Sequence, residues 1–161
     1  MTTYVQRLNT PIGDMLVEAT DRQVLAIQFV TSAEPTGQTN DLTQVACQQL
    51  EAYFEGRLHA FDMPISPQGT PFQQRVWAQL LKVPYGCTQS YLQIACALDN
   101  RKLIRAVGAA NGANPIAIVV PCHRIVGSGG SLVGYAGGID RKKWLLEHEV
   151  RHRLVPKNLL F

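Results

Sequence analysis

The segment Asn114-Pro-Ile-Ala-Ile-Val-Val-Pro-Cys-His-Arg124 constrains the chain more than any other. Residues Ile116 to Val120 are apolar and, apart from Ala117, β-branched, the pattern of a short strand buried on both faces. Pro115 and Pro121 bracket the run, and proline is tolerated at the ends of a strand but not in its middle. A thiol, an imidazole and a guanidinium follow at once, in Cys122, His123 and Arg124. A buried strand that delivers three such groups as it emerges sets reactive chemistry on a rigid support. The alternative is Cys122 as a small buried apolar side chain, the usual fate of a free cysteine.

A chain of 161 residues suffices for one ordinary domain, or for a small subdomain packed on a larger one. With 46% hydrophobic and 17% charged residues it has the composition of a globular protein with a real core. It has no apolar run long enough to span a bilayer and no signal-peptide pattern, so a cytoplasmic protein that does not engage membranes is expected. Cys47, Cys87, Cys96 and Cys122 form no C-x-x-C pair, and His59 is alone among histidines in the N-terminal half. Reduced thiols, no metal site and no cofactor are therefore expected. The charge is split unevenly. Residues 1–69 hold three arginines against eight carboxylates, whereas the remainder holds twelve Lys and Arg against four. A half that basic suits a polyanionic partner such as nucleic acid.

Local signals divide the chain into residues 1–68, an α/β scaffold, and residues 69–161, a mostly helical part. Met15–Val17 and Val24–Val30 read as strands around an Asp21-Arg22 turn, with Pro11-Ile-Gly13 as the entry turn, giving a small antiparallel sheet. Thr31–Asn40 is a polar loop. Asp41 is the expected N-cap of a sheet-covering helix that Gly56 stops. Phe61–Pro67 reads as an extended connector. Thr70 caps the next helix with Pro71 at its first position. Ser90 caps another from Tyr91 to about Leu98, and Asp99-Asn100 turns the chain into a further helix from Lys102 to about Ala110. This pair, with Lys102 and Arg105 on its second member, has the form of a helix-turn-helix. The Gly127–Gly130 and Gly137-Gly138 loops match neither a P-loop nor a dinucleotide fingerprint. Asp140 is the expected cap of the last helix, to about Arg153, and Leu159–Phe161 forms a tail.

Glu149 is legible by periodicity. It follows Leu145 by four and Leu146 by three, which sets it on the apolar side of its helix, while Glu147 faces Lys143 on the wetter side. A carboxylate facing the core requires a partner. His123 is one candidate; Arg124 or another cation is the other.

Thr70-Pro-Phe-Gln73, Val76-Trp77, Pro84-Tyr-Gly86, Ser90-Tyr91, Arg105-Ala-Val-Gly108, Asn114-Pro115, Pro121-Cys-His-Arg124, Gly134-Tyr-Ala-Gly-Gly138 and Leu145-Leu-x-x-Glu149 occur in that order. Together they resemble the O6-alkylguanine-DNA alkyltransferase family, densely from about Gly69 to Val150 and loosely before. The resemblance implies a ribonuclease H-like N-terminal domain and a C-terminal helix-turn-helix domain. It also implies single-use repair of double-stranded DNA: Cys122 takes the alkyl group from O6 of guanine, and more weakly from O4 of thymine, as a thioether. The family's relay would run Glu149, His123, a water, Cys122. Asn114 matches the asparagine that fixes the turn before the active site. Tyr91, Arg105, Ala106 and Arg124 fall with the DNA-binding residues, Arg105 as the finger that replaces a flipped base and Tyr91 as the residue crowding the adjacent phosphate. On charge alone Arg105 fits a phosphate contact nearly as well, and Tyr91 fits a core aromatic. Tyr135 matches the pocket residue that donates to guanine, with Ile125, Val133 and Ala136 beside it; a loop aromatic covering the core is its other reading. Docking through the minor groove by a protein monomeric in solution completes the expectation. Ala117, Val133 and Ala136 stand where certain relatives carry Pro, Gly and Ser, which reshapes the pocket.

Two rival classes are weighed against this. An alkyltransferase-like damage-binding module lacks the cysteine that is present here. A cysteine hydrolase would need an acyl groove and oxyanion donors, and would leave the basic helix pair unexplained.

Overall fold

Three strands open the chain, β1 (Tyr4–Thr10), β2 (Gly13–Ala19) and β3 (Val24–Phe29), forming an antiparallel sheet in that order. The computed structural model describes residues 2–31 and 37–153, so the centre of the Thr31–Asn40 loop and the Leu159–Phe161 tail lie outside the described residues. β1 goes beyond the sequence expectation. Its register with β2 runs from Tyr4 opposite Ala19 to Thr10 opposite Gly13, closed by a turn at Pro11-Ile12. Only Leu8 and Thr10 of β1 are buried, so the strand carries too little apolar alternation to announce itself. In β2 the alternation is clear: Met15, Val17 and Ala19 face inward.

Helix α1 (Asp41–Phe54) covers the sheet, burying Thr43, Ala46, Cys47, Leu50 and Tyr53 at helical spacing. Its cap is Asn40, not Asp41. Asn40 Oδ1 accepts from the Thr43 backbone N–H at 2.8 Å, while Thr43 Oγ1 accepts from Asn40 N–H at 3.0 Å. This reciprocal box outcompetes a cap one residue later, and Asp41 instead sits in the first turn, where its charge suits the helix dipole. Gly56 ends the helix with φ +79°, a conformation that glycine adopts freely.

The connector runs extended, with Ile65 bridging to Val24, into α2 (Pro71–Leu80). Thr70 Oγ1 accepts from Gln73 N–H at 3.1 Å and Gln73 Oε1 accepts from Thr70 N–H at 2.9 Å, the expected cap. Thr70→Ala is expected to cost about 1 kcal/mol and to lower the melting temperature by about 2–4 °C, read by circular dichroism. No change would mean that solvent replaces the cap at this exposed end.

β4 (Gln89–Ser90), α3 (Tyr91–Ala97), a 3-10 turn over Arg101–Leu103 and α4 (Ile104–Gly112) follow. Ser90 caps α3 as expected, and Asp99 makes the turn at φ +64°. The second helix of the pair begins with its 3-10 turn, started by Asn100 Oδ1 accepting from Lys102 N–H at 3.0 Å. After α4 the expected strand Ile116–Val120 does not form. Its residues make only isolated bridges, Ile27 with Ile116 and Ala117 with Val120, around a tight turn in which Ile118 takes φ +72°. That value is an outlier for a β-branched side chain. The cause is Asn114: its Nδ2 donates to the carbonyls of Val120 (2.8 Å) and Ile116 (3.3 Å), and its Oδ1 accepts from Ile116 N–H at 3.0 Å. A side chain that satisfies three backbone groups folds the run into a strap instead of a strand. The strap docks on β3, where Ile27 N–H donates to Pro115 O and Ala117 N–H to Ile27 O, both at 2.9 Å.

A 3-10 turn over Cys122–Arg124 leads to β5 (Ile125–Val126), which pairs in parallel with β4. Helix α5 (Ile139–His152) closes the described chain. Its N-cap is Gly138 at φ +95°, with Asp140 in the first turn instead of at the cap. The architecture is thus a small antiparallel sheet with a covering helix, joined to a mostly helical C-terminal part. Among the described residues no helix is long and apolar enough to cross a membrane.

Candidate active site

The strap ends at Pro121 and the chain turns at once, so Cys122, His123 and Arg124 lie on a 3-10 turn and not on extended chain. All three are buried. Cys122 Sγ accepts from Asn114 Nδ2 at 3.2 Å, and the Cys122 carbonyl accepts from Asn111 Nδ2 at 3.2 Å. The asparagine that shapes the strap therefore also touches the thiol. Burial pushes the Cys122 thiol up; the Asn114 amide, the Lys142 ammonium and the backbone N–H groups of Cys122 and His123 oppose it without cancelling it. The resting form is the thiol, and ionisation requires a base.

His123 is fully buried, with Nε2 2.7 Å from Glu149 Oε2. Glu149 accepts four further hydrogen bonds: Arg124 Nε at 2.8 Å and Gly86 N–H at 3.1 Å on Oε1, Arg124 Nη2 at 3.0 Å and the Tyr53 hydroxyl at 2.7 Å on Oε2. Both partners foreseen for Glu149 are thus real. Burial alone would raise the Glu149 carboxyl, but the hydrogen bonds of His123 and Arg124 and the Arg124 charge more than offset it and hold the carboxyl well below the usual range. For His123 burial prevails: despite Glu149, its pKa is lowered, with Arg124 and Lys142 adding to the effect. One buried anion and one buried cation, Glu149 and Arg124, neutralise each other and leave His123 uncharged. A carboxylate only accepts, so the imidazole hydrogen lies on Nε2 and Nδ1 carries the lone pair. Among the described residues Nδ1 is buried and has no hydrogen-bond partner.

Cys122 faces a cavity of about 400 Å³ lined also by Ala117, Tyr135 and Ala136 and, from the N-terminal sheet, by Ile27, Gln28 and Phe29. Tyr135 is raised well above the ordinary phenol value by burial and by Cys122, and its hydroxyl is buried without a partner among the described residues. Tyr91 leads α3 and donates its hydroxyl to Val133 O at 3.1 Å, pinning the loop that carries Tyr135. Arg105 and Ala106 are exposed on α4, on the outer side of the helix pair.

Three of the expected site residues sit otherwise than expected. Arg124 is not free to meet DNA: it is 6% exposed, and its guanidinium is committed to Glu149 and, through Nη1 at 2.7 Å, to Val83 O. Ile125 is fully buried in the core beside β4, away from the cavity wall. Val133 is 46% exposed and also lies off that wall. Sequence reasoning missed Tyr53, Asn111, Lys142, Gln28 and Phe29. Lys142 is fully buried and donates from Nζ to Val133 O at 2.8 Å. A lysine three residues before Leu145 was the one available signal for it, since that spacing shares the face of Leu145 and Glu149.

A buried thiol held by an amide, backed by an uncharged imidazole on a carboxylate, thus opens on a cavity beside a basic helix pair. Comparison with known proteins gives the family. Residues 71–151 match the 6-O-methylguanine DNA methyltransferase DNA binding domain, and residues 2–67 match the ribonuclease-like domain of the same methyltransferase. The chain is 40% identical over 152 residues to the methylated-DNA–protein-cysteine methyltransferase of Methanosarcina barkeri, covering 91% of this chain and 96% of that protein. It is 41% identical over 163 residues to that of Mycobacterium leprae, with 98% of each covered. The crystal structure of the Mycobacterium tuberculosis O6-methylguanine methyltransferase superposes with a TM-score of 0.88 at 38% identity, covering 99% of this chain and 100% of that one. A structure of the Mycobacterium tuberculosis protein in complex with DNA gives 0.84 at 42% identity over 97% of each chain. The chain belongs to the methylated-DNA–protein-cysteine methyltransferase family, and its activity is that of a direct-repair DNA alkyltransferase.

Proposed function

We propose that the protein removes the alkyl group from O6 of guanine, and more slowly from O4 of thymine, in double-stranded DNA and keeps it on Cys122. The observation that carries this reading is the juxtaposition of Cys122 and Tyr135 on one cavity, with an uncharged His123 fixed by Glu149 behind the thiol. His123 Nδ1 takes the thiol proton through a water. The thiolate attacks the alkyl carbon, the carbon–O6 bond breaks with its electrons passing to guanine, and the base takes up one proton through the Tyr135 hydroxyl, which regains its own as the His123 imidazolium gives up the one it took. A thioether is a poor leaving group, so Cys122 reacts once.

A base within a duplex cannot reach a buried thiol, so the nucleotide rotates out of the stack, at a cost of a few kcal/mol. Arg105 fills the gap, Ala106 lies flush beside it on α4, and Tyr91 crowds the neighbouring phosphate. Docking is through the minor groove by a monomer, in the cytoplasm. The division between the two parts falls between residues 68 and 69, in the extended stretch between the two matched segments.

The test is intact-protein mass after incubation with a duplex carrying O6-methylguanine. One gain of about 14 Da, stopping at one equivalent and mapping to the peptide that contains Cys122, is the expected result. Repeated turnover would favour a hydrolase. Tight binding to the damaged duplex with no mass gain would make the protein a damage-binding module.

A further inference from the structure

One donor to the buried Glu149 comes from the other half of the chain. Tyr53, in the last turn of α1, places its hydroxyl 2.7 Å from Glu149 Oε2, the oxygen that also meets His123. Tyr53 is fully buried, its ring packed against Phe54, Phe61, Tyr85 and the His148 imidazole at centroid distances of 5.4, 5.6, 6.0 and 5.4 Å. Its backbone carbonyl lies 2.7 Å from His148 Nε2, and a carbonyl only accepts, so that nitrogen donates. His148 and Glu149 are consecutive on α5, so α5 grips one residue of α1 at both its carbonyl and its hydroxyl. The hydroxyl is therefore held on the carboxylate and cannot turn away. Packing by itself does not call for it, since phenylalanine would fill the same space.

We infer that Tyr53 is a positioning residue for alkyl transfer: its hydroxyl fixes Glu149 Oε2 and limits how strongly that carboxylate favours a proton on His123. The inference rests on His123 as the base for Cys122. A hydrogen bond donated to a carboxylate draws charge away from it and makes it a weaker partner for an imidazolium. The groups that set the balance come from four elements. Tyr53 stands on α1, Tyr85 on the turn after α2, His123 and Arg124 on the 3-10 turn, and Lys142, His148 and Glu149 on α5. Arg124 and Lys142 oppose protonation of His123 and Glu149 promotes it. Tyr53 tempers the one group that promotes it.

Tyr53→Phe keeps the ring contacts and leaves Glu149 four hydrogen bonds, so the fold is retained. Two rates are read from pH 5 to 9: single-turnover methyl transfer from an O6-methylguanine duplex, and carbamidomethylation of Cys122 by iodoacetamide, followed by peptide mass. Deleting the hydroxyl concentrates charge on Glu149 and raises the pKa of His123. The acid limb of both profiles should then move up by about one pH unit, with a deficit of about tenfold on that limb that closes above pH 8. A limb that stays in place or moves down overturns the inference, even where the rate or melting temperature falls evenly at all pH values. Iodoacetamide needs no DNA. A wild-type protein that takes no methyl group from DNA would sink the proposed function, while the iodoacetamide profile still decides the role of Tyr53.

Discussion

Glu149→Gln is expected to lower the melting temperature at pH 7 by about 10 °C. The side chain accepts from His123, Tyr53, Gly86 and twice from Arg124. Removing the negative charge leaves the Arg124 guanidinium buried and uncompensated, a change that costs about 3–5 kcal/mol. In a chain of this size each kcal/mol is worth about 2–4 °C. The pH dependence follows from the sign of the shift. The folded carboxyl is depressed below its ordinary value of 4.5, so its stabilisation is fully present above that value and is lost as pH falls through the folded value. The gap between wild type and variant should therefore be complete at pH 7 and narrow in acid below pH 4.5. Urea unfolding at pH 7 and at pH 3.5 measures it. A gap unchanged by acid would trace the loss to shape instead of charge. Transfer should fall by about 10²–10⁴, because an amide can donate to Nε2 and move the imidazole hydrogen to Nδ1, which abolishes the base.

What could be read in advance follows the range of the interaction. Thr70 and Ser90 act on residues three positions away, so their caps were legible. Glu149 was legible because helical period alone turns it inward with Leu145. Asn40 was passed over for Asp41 because the decisive bond is the return from Thr43, visible only when both halves of the box are considered. The strap failed for a different reason. Its composition is that of a buried strand, and burial was correct, but strands need partners along their length, and here only Ile27 is offered. Asn114 supplies the remaining bonds from a side chain, which hydrophobic pattern does not register. Arg124 was grouped with the DNA-binding residues by resemblance; in the structure a buried carboxylate 25 residues away holds it. Tyr53 lies 96 residues from Glu149, and no local signal spans that distance.

At the site, Arg124 and Tyr53 place more of the chemistry inside the protein, and more of it across the two halves, than the charge asymmetry suggests. β3 supplies Ile27, Gln28 and Phe29 to the cavity, α1 supplies Tyr53 to the carboxylate, and Arg141 of α5 donates to Ile12 O at 2.7 Å while lying over the Phe29 ring at 4.3 Å.

Lys142→Met is expected to slow alkyl transfer by about tenfold at pH 7 while leaving stability within about 1 kcal/mol of wild type. The lysine is fully buried, and burial pulls its pKa down, so its charge is held at a cost to folding. Methionine keeps the length without the charge, and Val133 O retains the Tyr91 hydroxyl as donor when Nζ is lost. What disappears is the cation whose field favours the Cys122 thiolate. Each unit by which the thiol pKa rises removes a factor of about ten from the thiolate fraction at fixed pH. The deficit should therefore be greatest near neutrality and should close as pH climbs past the raised value, where the thiol ionises unaided. Single-turnover rates on an O6-methylguanine duplex from pH 7 to 10, beside urea unfolding at pH 7, separate the two effects. A deficit that persists unchanged to pH 10 would mean that Lys142 serves the Val133–Tyr135 loop and not the thiol. A rate equal to wild type at pH 7 would show that His123, helped by Asn114 and the backbone N–H groups, ionises Cys122 without the lysine.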